Sequence, residues 1–297
     1  MTTSSLRNPA VMNEAAVPCP SSAPAYDAES YRSGVKPIWC PGCGDYSVLA
    51  SLTHALAFLQ LPPEQVAMVS GIGCSSRIPA YTRAYGFHGV HGRALPVATG
   101  LKLARPDLTV LVAGGDGDGF SIGGNHFLHA CRRNADMTYI IMDNQVYGMT
   151  KGQASPTTMP DWKGSELTPE GPGINPFQPL VIALAAGATF IARCFSGEPA
   201  NLTDVLVQAI RHPGFSVVQI LSPCVTFRPE QRQWKNMVRL NEQGPTDLTS
   251  AARQLMNDDG FSVGSVLYRG ERPVFGSRIP KNRPLASLDR IFERCVA

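Results

Sequence analysis

The chain has 297 residues, of which 43% are hydrophobic and 16% are charged, and its net charge is +3. This composition suits a compact protein with a large core and with surface left for a partner, while the small net charge excludes an electrostatic case for nucleic-acid binding. No apolar run approaches the roughly 20 residues of a membrane helix, and Met1 to Ala10 lack the apolar core of a signal peptide, so we expect a cytoplasmic protein.

Hydrophobic periodicity predicts most of the secondary structure. Residues 1–35, rich in Ser, Ala, Pro and Asn, indicate an N-terminal arm. The predicted elements that follow are a helix over 44–60, strands over 65–70 and 109–113, a helix over 121–133 with Ser121 as its cap, a strand over 138–142, a helix over 178–187, a strand over 189–192, a helix over 201–212 and a strand over 215–221. After Cys224 the pattern weakens to a helix over 246–258 and an extended tail.

These elements predict three parts of the chain: an arm (1–35), a domain (36–227) and a C-terminal extension (228–297) that packs on the domain or on a partner subunit. Near-continuous apolar strands that alternate with helices are typical of an α/β fold in which helices cover both faces of a parallel sheet. Four polar or glycine-rich motifs directly follow predicted strands, at 71–75, 114–119, 143–148 and 222–224. Because the carboxyl ends of parallel strands share one edge, these motifs should converge on one site.

Four of the eight cysteines lie in loops that suit metal binding. Cys40 and Cys43 form a CPGC loop, Cys74 lies in GIGCS, and Cys224 lies in SPC. Two interpretations stay open: a structural zinc site, which usually pairs CxxC with a second CxxC or with histidines, and a 4Fe–4S cluster, which suits cysteines from separate loops. The other four cysteines, Cys19, Cys131, Cys194 and Cys295, predict no ligand role. The chain also lacks a ferredoxin-type cysteine run, so we expect one cluster that passes electrons directly to an external carrier.

A second group of residues suits a hard cation. Asp116 lies in the run GGDGDG, and Asn144 follows 28 positions later, after the next predicted strand. Carboxylate, amide and carbonyl oxygens are the ligands that Mg²⁺ prefers, so Asp116, Asn144 and the carbonyl of Val146 predict a magnesium site beside a phosphate. The alternative is a glycine-rich turn in which Asp118 or Ser121 caps a helix.

The pairing of GDG with a later Asn resembles the diphosphate-binding signature of thiamine diphosphate enzymes. Six motifs together resemble the β subunit of 2-oxoacid:ferredoxin oxidoreductases: WCPGCGDYSVL, GIGCSSR, HGRALPVATGLKLARP, GGDGDGFSIGG, DNQVYGMTKGQASPTT and SPCVTF. They cover residues 39 to about 227, and the GMTKGQASPTT form is more similar to members that use 2-oxoglutarate than to those that use pyruvate.

The resemblance implies a diphosphate-type thiamine diphosphate domain with Mg²⁺ and one 4Fe–4S cluster held by Cys40, Cys43, Cys74 and Cys224. It implies the interconversion of 2-oxoglutarate, coenzyme A and oxidised ferredoxin with succinyl-CoA, CO₂ and reduced ferredoxin. The residues expected to contact thiamine diphosphate are Ile72, Gly73, Cys74, Ser75, His91, Gly117, Asp118, Gly148 and Met149. For His91 the alternative is a loop histidine packed on Tyr85 or Phe87, and for Met149 it is a core position.

Arg77 and Lys151 are the best candidates to bind a substrate carboxylate, and Thr150 would assist them; the alternative is that both cations are solvated. The chain carries only the diphosphate half of a thiamine diphosphate site, so we expect a separate α subunit to supply the pyrimidine domain and the activating glutamate. The competing interpretations are a non-redox thiamine diphosphate decarboxylase or synthase subunit, a member specific for pyruvate or a branched-chain 2-oxoacid, and a zinc-binding assembly subunit.

Overall fold

The computed structural model describes residues 25–241, 244–245 and 247–277. The strands are β1 (Val66–Ser70), β2 (Tyr85–His88), β3 (Thr109–Gly115), β4 (Met137–Asp143), β5 (Phe190–Phe195), β6 (Phe215–Leu221), β7 (Arg239–Leu240), β8 (Ser262–Val263) and β9 (Ser265–Arg269). The helices are α1 (Asp45–Leu59), α2 (Ile78–Tyr81), α3 (Ala94–Ala104), α4 (Asp116–Phe120), α5 (Gly124–Arg133), α6 (Pro179–Ala185), α7 (Pro199–Arg211), α8 (Trp234–Met237) and α9 (Leu248–Asn257).

Seven strands form one sheet in the order β2-β1-β3-β4-β6-β5-β9. The first six are parallel, and β9 pairs antiparallel with β5 at the edge. The chain steps outward from β1 to β2 and then crosses back to β3, so the strand order reverses between β1 and β3. In open α/β sheets ligands bind at such a reversal, outside the carboxyl ends of the strands.

Two apolar cores lie on opposite faces of this sheet, because successive strand side chains point to opposite sides. In β3, Val110 and Val112 belong to the core shared with α3, α5, α6 and α9, whereas Leu111 and Ala113 belong to the core shared with α1 and α7. Cys131 and Cys194 are fully buried, one in each core, which confirms that they behave as small apolar residues. The prediction of a parallel sheet covered on both faces is therefore confirmed.

The pattern of the sequence missed several elements, among them β2, α3 and β9. All four residues of β2 are exposed, so this edge strand shows no apolar signal, and α3 contains Pro96 and Gly100, which weaken a helical pattern although Pro96 lies in the permissive first turn. The strand β9 lies in the predicted C-terminal extension, where its backbone pairs with β5 and its Leu267 is buried.

One predicted helix cap is also wrong. Ser121 ends the short helix α4, and α5 begins only at Gly124, after Gly123. A side chain at Gly123 would collide with the backbone carbonyls of Asp118 and Gly119, so a glycine is needed where the two helices meet closely.

The boundaries of the three predicted parts stay a prediction, although the last part of the arm packs against the domain. Tyr31 is fully buried, and its hydroxyl donates to the carbonyl of Leu61 at 2.7 Å. Cys19, Cys295, residues 1–24 of the arm and residues 278–297 of the tail lie outside the described residues. Within the part that the structure describes, no helix is both long and apolar enough to cross a bilayer.

Candidate functional site

Asp116 stands at the end of β3, where the strand turns directly into α4, and it is 2% exposed. Its Oδ2 accepts hydrogen bonds from the hydroxyls of Ser155 and Thr157, the latter at 2.8 Å. Thr157 also lies 2.8 Å from Oδ1 of Asp143, the last residue of β4. The hydroxyl of Thr157 therefore bridges two buried carboxylates at neighbouring strand ends.

The electrostatics of this pair favour a cation. Burial, and then the nearby charge of Asp143, raise the pKa of Asp116 above its ordinary value. Burial likewise raises the pKa of Asp143, although a hydrogen bond from the Gln219 amide and the contact with the Thr157 hydroxyl oppose the shift. Two carboxyls that resist ionisation together are stabilised as carboxylates by a divalent cation, so the donors present fit a magnesium ion at Asp116.

The loop after β4 closes over the GDGDG loop. The side-chain oxygen of Asn144 accepts from the backbone N–H of Val146 at 3.1 Å, which forms a tight turn. The phenol of Tyr147 donates to the carbonyl of Gly117 at 3.2 Å, and a side chain at Gly117 would overlap the Tyr147 ring. The two loops thus touch because position 117 has no side chain.

Asp118 ties together the loops after β1 and β2. Its Oδ1 accepts from the backbone N–H groups of Ile72 at 2.9 Å and Gly92 at 2.7 Å, and it lies 2.9 Å from Nδ1 of His91. A side chain at Gly71 would overlap this carboxylate. The His91 ring lies beside Tyr147, with ring centroids 6.4 Å apart, rather than on Tyr85 or Phe87.

These loops enclose a cavity of about 490 Å³ at the carboxyl ends of β1, β3 and β4, a size typical of a cofactor site. All the residues predicted to contact thiamine diphosphate line it, together with Asp116, Asn144, Val146 and Thr150. The buried hydroxyl of Ser75 has no hydrogen-bond partner among the described residues. A free donor in the wall of such a cavity fits the diphosphate of a bound cofactor.

The four predicted ligand cysteines, Cys40, Cys43, Cys74 and Cys224, line a second cavity of about 210 Å³. Burial is the main cause that raises the pKa of Cys74 to about 12 and that raises the pKa of Cys43 further. A coordinated metal is what would hold such buried sulfurs as thiolates.

The zinc and cluster interpretations differ in the spacing that each requires of the four sulfurs. Within the described residues, no three His, Cys, Asp or Glu side chains lie close enough to bind one metal ion. A zinc site brings all its ligands to one ion at about 2.3 Å, whereas each cysteine of a 4Fe–4S cluster binds a different iron, so its sulfurs lie farther apart.

The two cavities share a wall formed by Cys74, Asn144, Gly148 and Met149. Gly148 brings the loops close, since the Cβ position there lies 3.7 Å from Sγ of Cys224 and 3.9 Å from Sγ of Cys74. The sulfur site and the oxygen site are therefore adjacent.

Residues 71–220 match the family described as "Thiamine pyrophosphate enzyme, C-terminal TPP binding domain". The chain is 46% identical over 208 residues to "2-oxoglutarate oxidoreductase subunit KorB" of Mycobacterium tuberculosis, an alignment that covers 70% of this chain and 56% of the relative. It is 40% identical over 243 residues to "2-oxoglutarate synthase subunit KorB" of Archaeoglobus fulgidus, which covers 78% and 90%. This chain belongs to the β subunits of the 2-oxoacid:ferredoxin oxidoreductases.

A solved structure of a 2-oxoglutarate:ferredoxin oxidoreductase from Magnetococcus marinus, with 2-oxoglutarate, coenzyme A and succinyl-CoA bound, shares the fold. Its TM-score is 0.82 at 39% identity, and the match covers 92% of each chain. The alignment with the Mycobacterium tuberculosis relative, by contrast, spans little more than half of that protein.

The three residues predicted to bind substrate occupy different places in this oxidoreductase subunit. Arg77 lines the sulfur cavity, is half-buried and forms no ion pair among the described residues. Thr150 lines the larger cavity, where its hydroxyl contacts the side chain of Gln153. Lys151 is exposed and lines neither cavity. Of these two cations, Arg77 lines one of the two cavities and Lys151 lines neither.

Sequence reasoning missed several residues that shape the oxidoreductase site. Ser155 and Thr157, whose hydroxyls bond to Asp116, lie in the quoted motif that ends in QASPTT. No rule of residue spacing predicts these two contacts. Asp45, directly after the CPGCG run, lines the larger cavity and accepts from the Ser222 hydroxyl at 2.6 Å, and burial raises its pKa to about 6. Tyr147 also lies in a quoted motif, but the sequence does not predict its contact with Gly117.

Proposed function

We propose that this chain is the catalytic β subunit of a thiamine-diphosphate-dependent 2-oxoglutarate:ferredoxin oxidoreductase. The observation that carries the proposal is the pair of adjoining cavities, one lined by four cysteines and the other by Asp116, Asn144 and the glycine loops, with Cys74 on both. The reaction interconverts 2-oxoglutarate, coenzyme A and oxidised ferredoxin with succinyl-CoA, CO₂ and reduced ferredoxin.

Each cofactor has a set of residues to hold it. Asp116, Asn144 and the carbonyl of Val146 would bind Mg²⁺, and Ser75 and His91 would donate to the diphosphate. Cys40, Cys43, Cys74 and Cys224 would hold the 4Fe–4S cluster. When bound, thiamine diphosphate supplies the carbanion chemistry that releases CO₂ from a 2-oxoacid, and the cluster supplies a one-electron acceptor.

The chain's own contribution is positioning. Asp118 holds the loops after β1 and β2 by two backbone hydrogen bonds, which fixes the Ile72 to Ser75 segment between the cavities. Cys74 lies in that segment, so the same backbone turn would contact both cofactors and keep their separation short. Short separation favours electron transfer over loss of the electrons to solvent oxidants.

Arg77 is the residue that we propose binds the distal carboxylate of 2-oxoglutarate. Arg77 is half-buried, lines the sulfur cavity, and has no carboxylate partner among the described residues. A planar cation of this kind recognises a carboxylate in two parallel hydrogen bonds. The Magnetococcus marinus relative binds 2-oxoglutarate, coenzyme A and succinyl-CoA, which supports a dicarboxylate over pyruvate.

An α subunit completes the proposed enzyme. Thiamine diphosphate needs a carboxylate beside its pyrimidine ring, and no glutamate is among the described residues that line the larger cavity. Ile72 and Met149, at the mouth of this cavity, are 41% and 55% exposed. Exposed apolar side chains at a cofactor site suit coverage by a partner subunit, and ferredoxin would accept the electrons at the assembled complex.

The test is anoxic co-purification with an α-type subunit, followed by metal analysis and a CoA-dependent assay with a viologen dye. We expect about four irons and four acid-labile sulfides per chain, and faster turnover of 2-oxoglutarate than of pyruvate. Arg77→Met should reverse or abolish that preference. Lys151→Met, at an exposed cation of the loop after β4, should change it less. About one zinc per chain without sulfide, or dye reduction that is independent of the 2-oxoacid, would reject the proposal.

A further inference from the structure

Gln231 connects the two cofactor loops through a single buried side chain. It lies in the short turn Pro229–Gln233 that follows the Cys224 loop, and it is 1% exposed. Its Nε2 donates to the backbone carbonyl of Asn144 at 2.7 Å, and its Oε1 accepts from the backbone N–H of Cys224 at 2.8 Å. One amide therefore holds the backbone of a predicted magnesium ligand and that of a predicted cluster ligand.

We propose that Gln231 is a positioning residue that couples the iron–sulfur site to the thiamine diphosphate site. The proposal rests on the function proposed above, because it requires that Asn144 and Cys224 hold those cofactors. The proposal goes beyond that function because it assigns the relative position of the two cofactor loops to Gln231, a residue outside all six quoted motifs.

The chemistry of the side chain suits the task. A carboxamide carries a donor and an acceptor on the same planar group, so it can satisfy a carbonyl and an N–H at once. Both hydrogen bonds are partly buried and end on a side chain that is 1% exposed, so a carbonyl or N–H left unpaired there is costly. Any movement of one loop therefore disturbs the hydrogen bond to the other.

Arg228, three residues earlier, supports the same connection independently. Its backbone N–H donates to the carbonyl of Cys224 at 2.9 Å, and its Nη1 donates to the carbonyl of Gln145 at 2.9 Å. Its guanidinium stacks on the Trp162 ring at 4.3 Å. The turn at 228–231 thus contacts both loops twice, and it holds them as one unit.

The experiment compares Gln231→Met and Gln231→Glu with wild type in the assembled complex, purified anoxically. Thiamine diphosphate binding with Mg²⁺ is measured by titration, and the cluster is followed by iron and sulfide content and by the EPR spectrum of the reduced protein. Gln233→Met is the matched control, since Gln233 is exposed and its side chain bonds only to Asn236 among the described residues.

We expect Gln231→Met, which keeps the volume and loses both hydrogen bonds, to weaken thiamine diphosphate binding about tenfold or more and to alter the EPR spectrum as well. Gln231→Glu should restore the wild-type EPR spectrum, because a carboxyl oxygen still accepts from Cys224 N–H in either protonation state. The Gln233→Met control should leave both measurements unchanged.

Two results overturn the inference: a Gln231→Met complex with wild-type binding and spectrum, or one in which only a single site changes. If Gln231→Met does not assemble, Gln231→Asn replaces it with the same expectation, since its side chain is one methylene too short to reach both loops. A wild-type complex without iron, sulfide or thiamine diphosphate binding would overturn the proposed function instead.

Discussion

At the scale of single residues, two aspartates of the oxygen site have different roles. One provides negative charge for a cation, and the other holds the backbone of two loops through hydrogen bonds. Asp116 faces Asp143 through Thr157, in a buried setting that favours a cation. Asp118, two positions later, accepts backbone N–H groups from the loops after β1 and β2. The expected direct contact of Asp118 with the diphosphate stays a prediction. In the structure, the Asp118 carboxylate holds together the two loops that form the cavity wall.

Replacing Asp116 by asparagine tests the first role. Asp116→Asn keeps the shape of the side chain but removes the charge that would bind Mg²⁺, so thiamine diphosphate affinity in the presence of Mg²⁺ should fall by about two orders of magnitude, or about 3 kcal/mol. Titration with and without Mg²⁺ measures it. Asp107→Asn, at an exposed carboxylate paired with Arg105, should bind like wild type; equal affinities for all three proteins would contradict a magnesium role for Asp116.

A substitution at Gly71 tests the role of Asp118 in holding loop backbone, because the Asp118 carboxylate occupies the space that a side chain at position 71 would need. Gly71→Ala should displace that carboxylate from its two backbone partners and destabilise the protein by about 1–3 kcal/mol. Denaturant unfolding measures the change. In the control Gly100→Ala, the new methyl group on α3 meets nothing within 4 Å, and stability should rise by up to about 1 kcal/mol; the same sign in both variants would refute the steric argument.

At the scale of elements, a buried polar cluster joins the ends of α5 and α7 to the starts of β5 and β6. His212, which ends α7, has Nε2 at 2.8 Å from the Thr189 hydroxyl, and Thr189 donates to Oδ1 of Asn134 at 2.7 Å. The same oxygen accepts from the backbone N–H of Phe215 at 2.8 Å. Since Thr189 gives its only proton to Asn134, His212 must donate from Nε2, which requires neutral or protonated imidazole with hydrogen on that atom.

The cluster predicts a dependence of stability on pH. Burial, and then the charge of Arg269, lower the pKa of His212 in the folded chain below its ordinary value of about 6.5. The unfolded chain therefore binds a proton first as the pH falls. The stabilisation is complete above about pH 6.5 and is lost as the pH falls through the lower pKa of the folded state.

Thermal unfolding at about pH 7.5 and about pH 5.5 tests this. His212→Gln, which keeps a donor and does not titrate, should lose less stability on acidification than wild type. His54→Gln, at an exposed histidine of α1, should follow wild type. An unchanged pH dependence in His212→Gln would rule out His212 as the source.

At the scale of the whole molecule, we propose that the fold supplies one half of an active site shared with an α subunit. The cofactor cavity opens at the strand reversal between β1 and β3, and exposed Ile72 and Met149 border it. Glu64 and Glu166 are exposed, and neither they nor Glu198 line this cavity. The activating glutamate is therefore expected from the partner.

The isolated β subunit should therefore carry the cluster and yet be inactive. We expect anoxically purified chain to contain iron and sulfide but to decarboxylate 2-oxoglutarate at least about 100-fold more slowly than the complex, because general acid–base help of this order is missing. Adding the α-type subunit should restore the rate. Full activity of the β subunit alone would show that the pyrimidine site lies within this chain.

The central strands and the residues at their ends could be predicted from the order of amino acids. Strands β1, β3, β4 and β6 are continuous apolar runs buried on both faces, so hydrophobicity identifies them. Because parallel strands end at one edge, the motifs that follow them could be assigned to one site from the sequence. Hydrophobicity did not identify β2 and β9, which lie at the two edges of the sheet. An edge strand buries fewer side chains, and a local sequence pattern does not show which strand it pairs with.

The side chains that hold the site together could be identified only in the folded chain. Gln231, Thr157 and Asp118 make their contacts with loops that are distant in sequence, and nothing in the spacing of residues encodes those distances. Hydrogen bonds between returning loops form only after the sheet has packed, because it is the two apolar cores that bring the loops within reach. Periodicity reports burial along one element, whereas loop-to-loop contact depends on the whole fold.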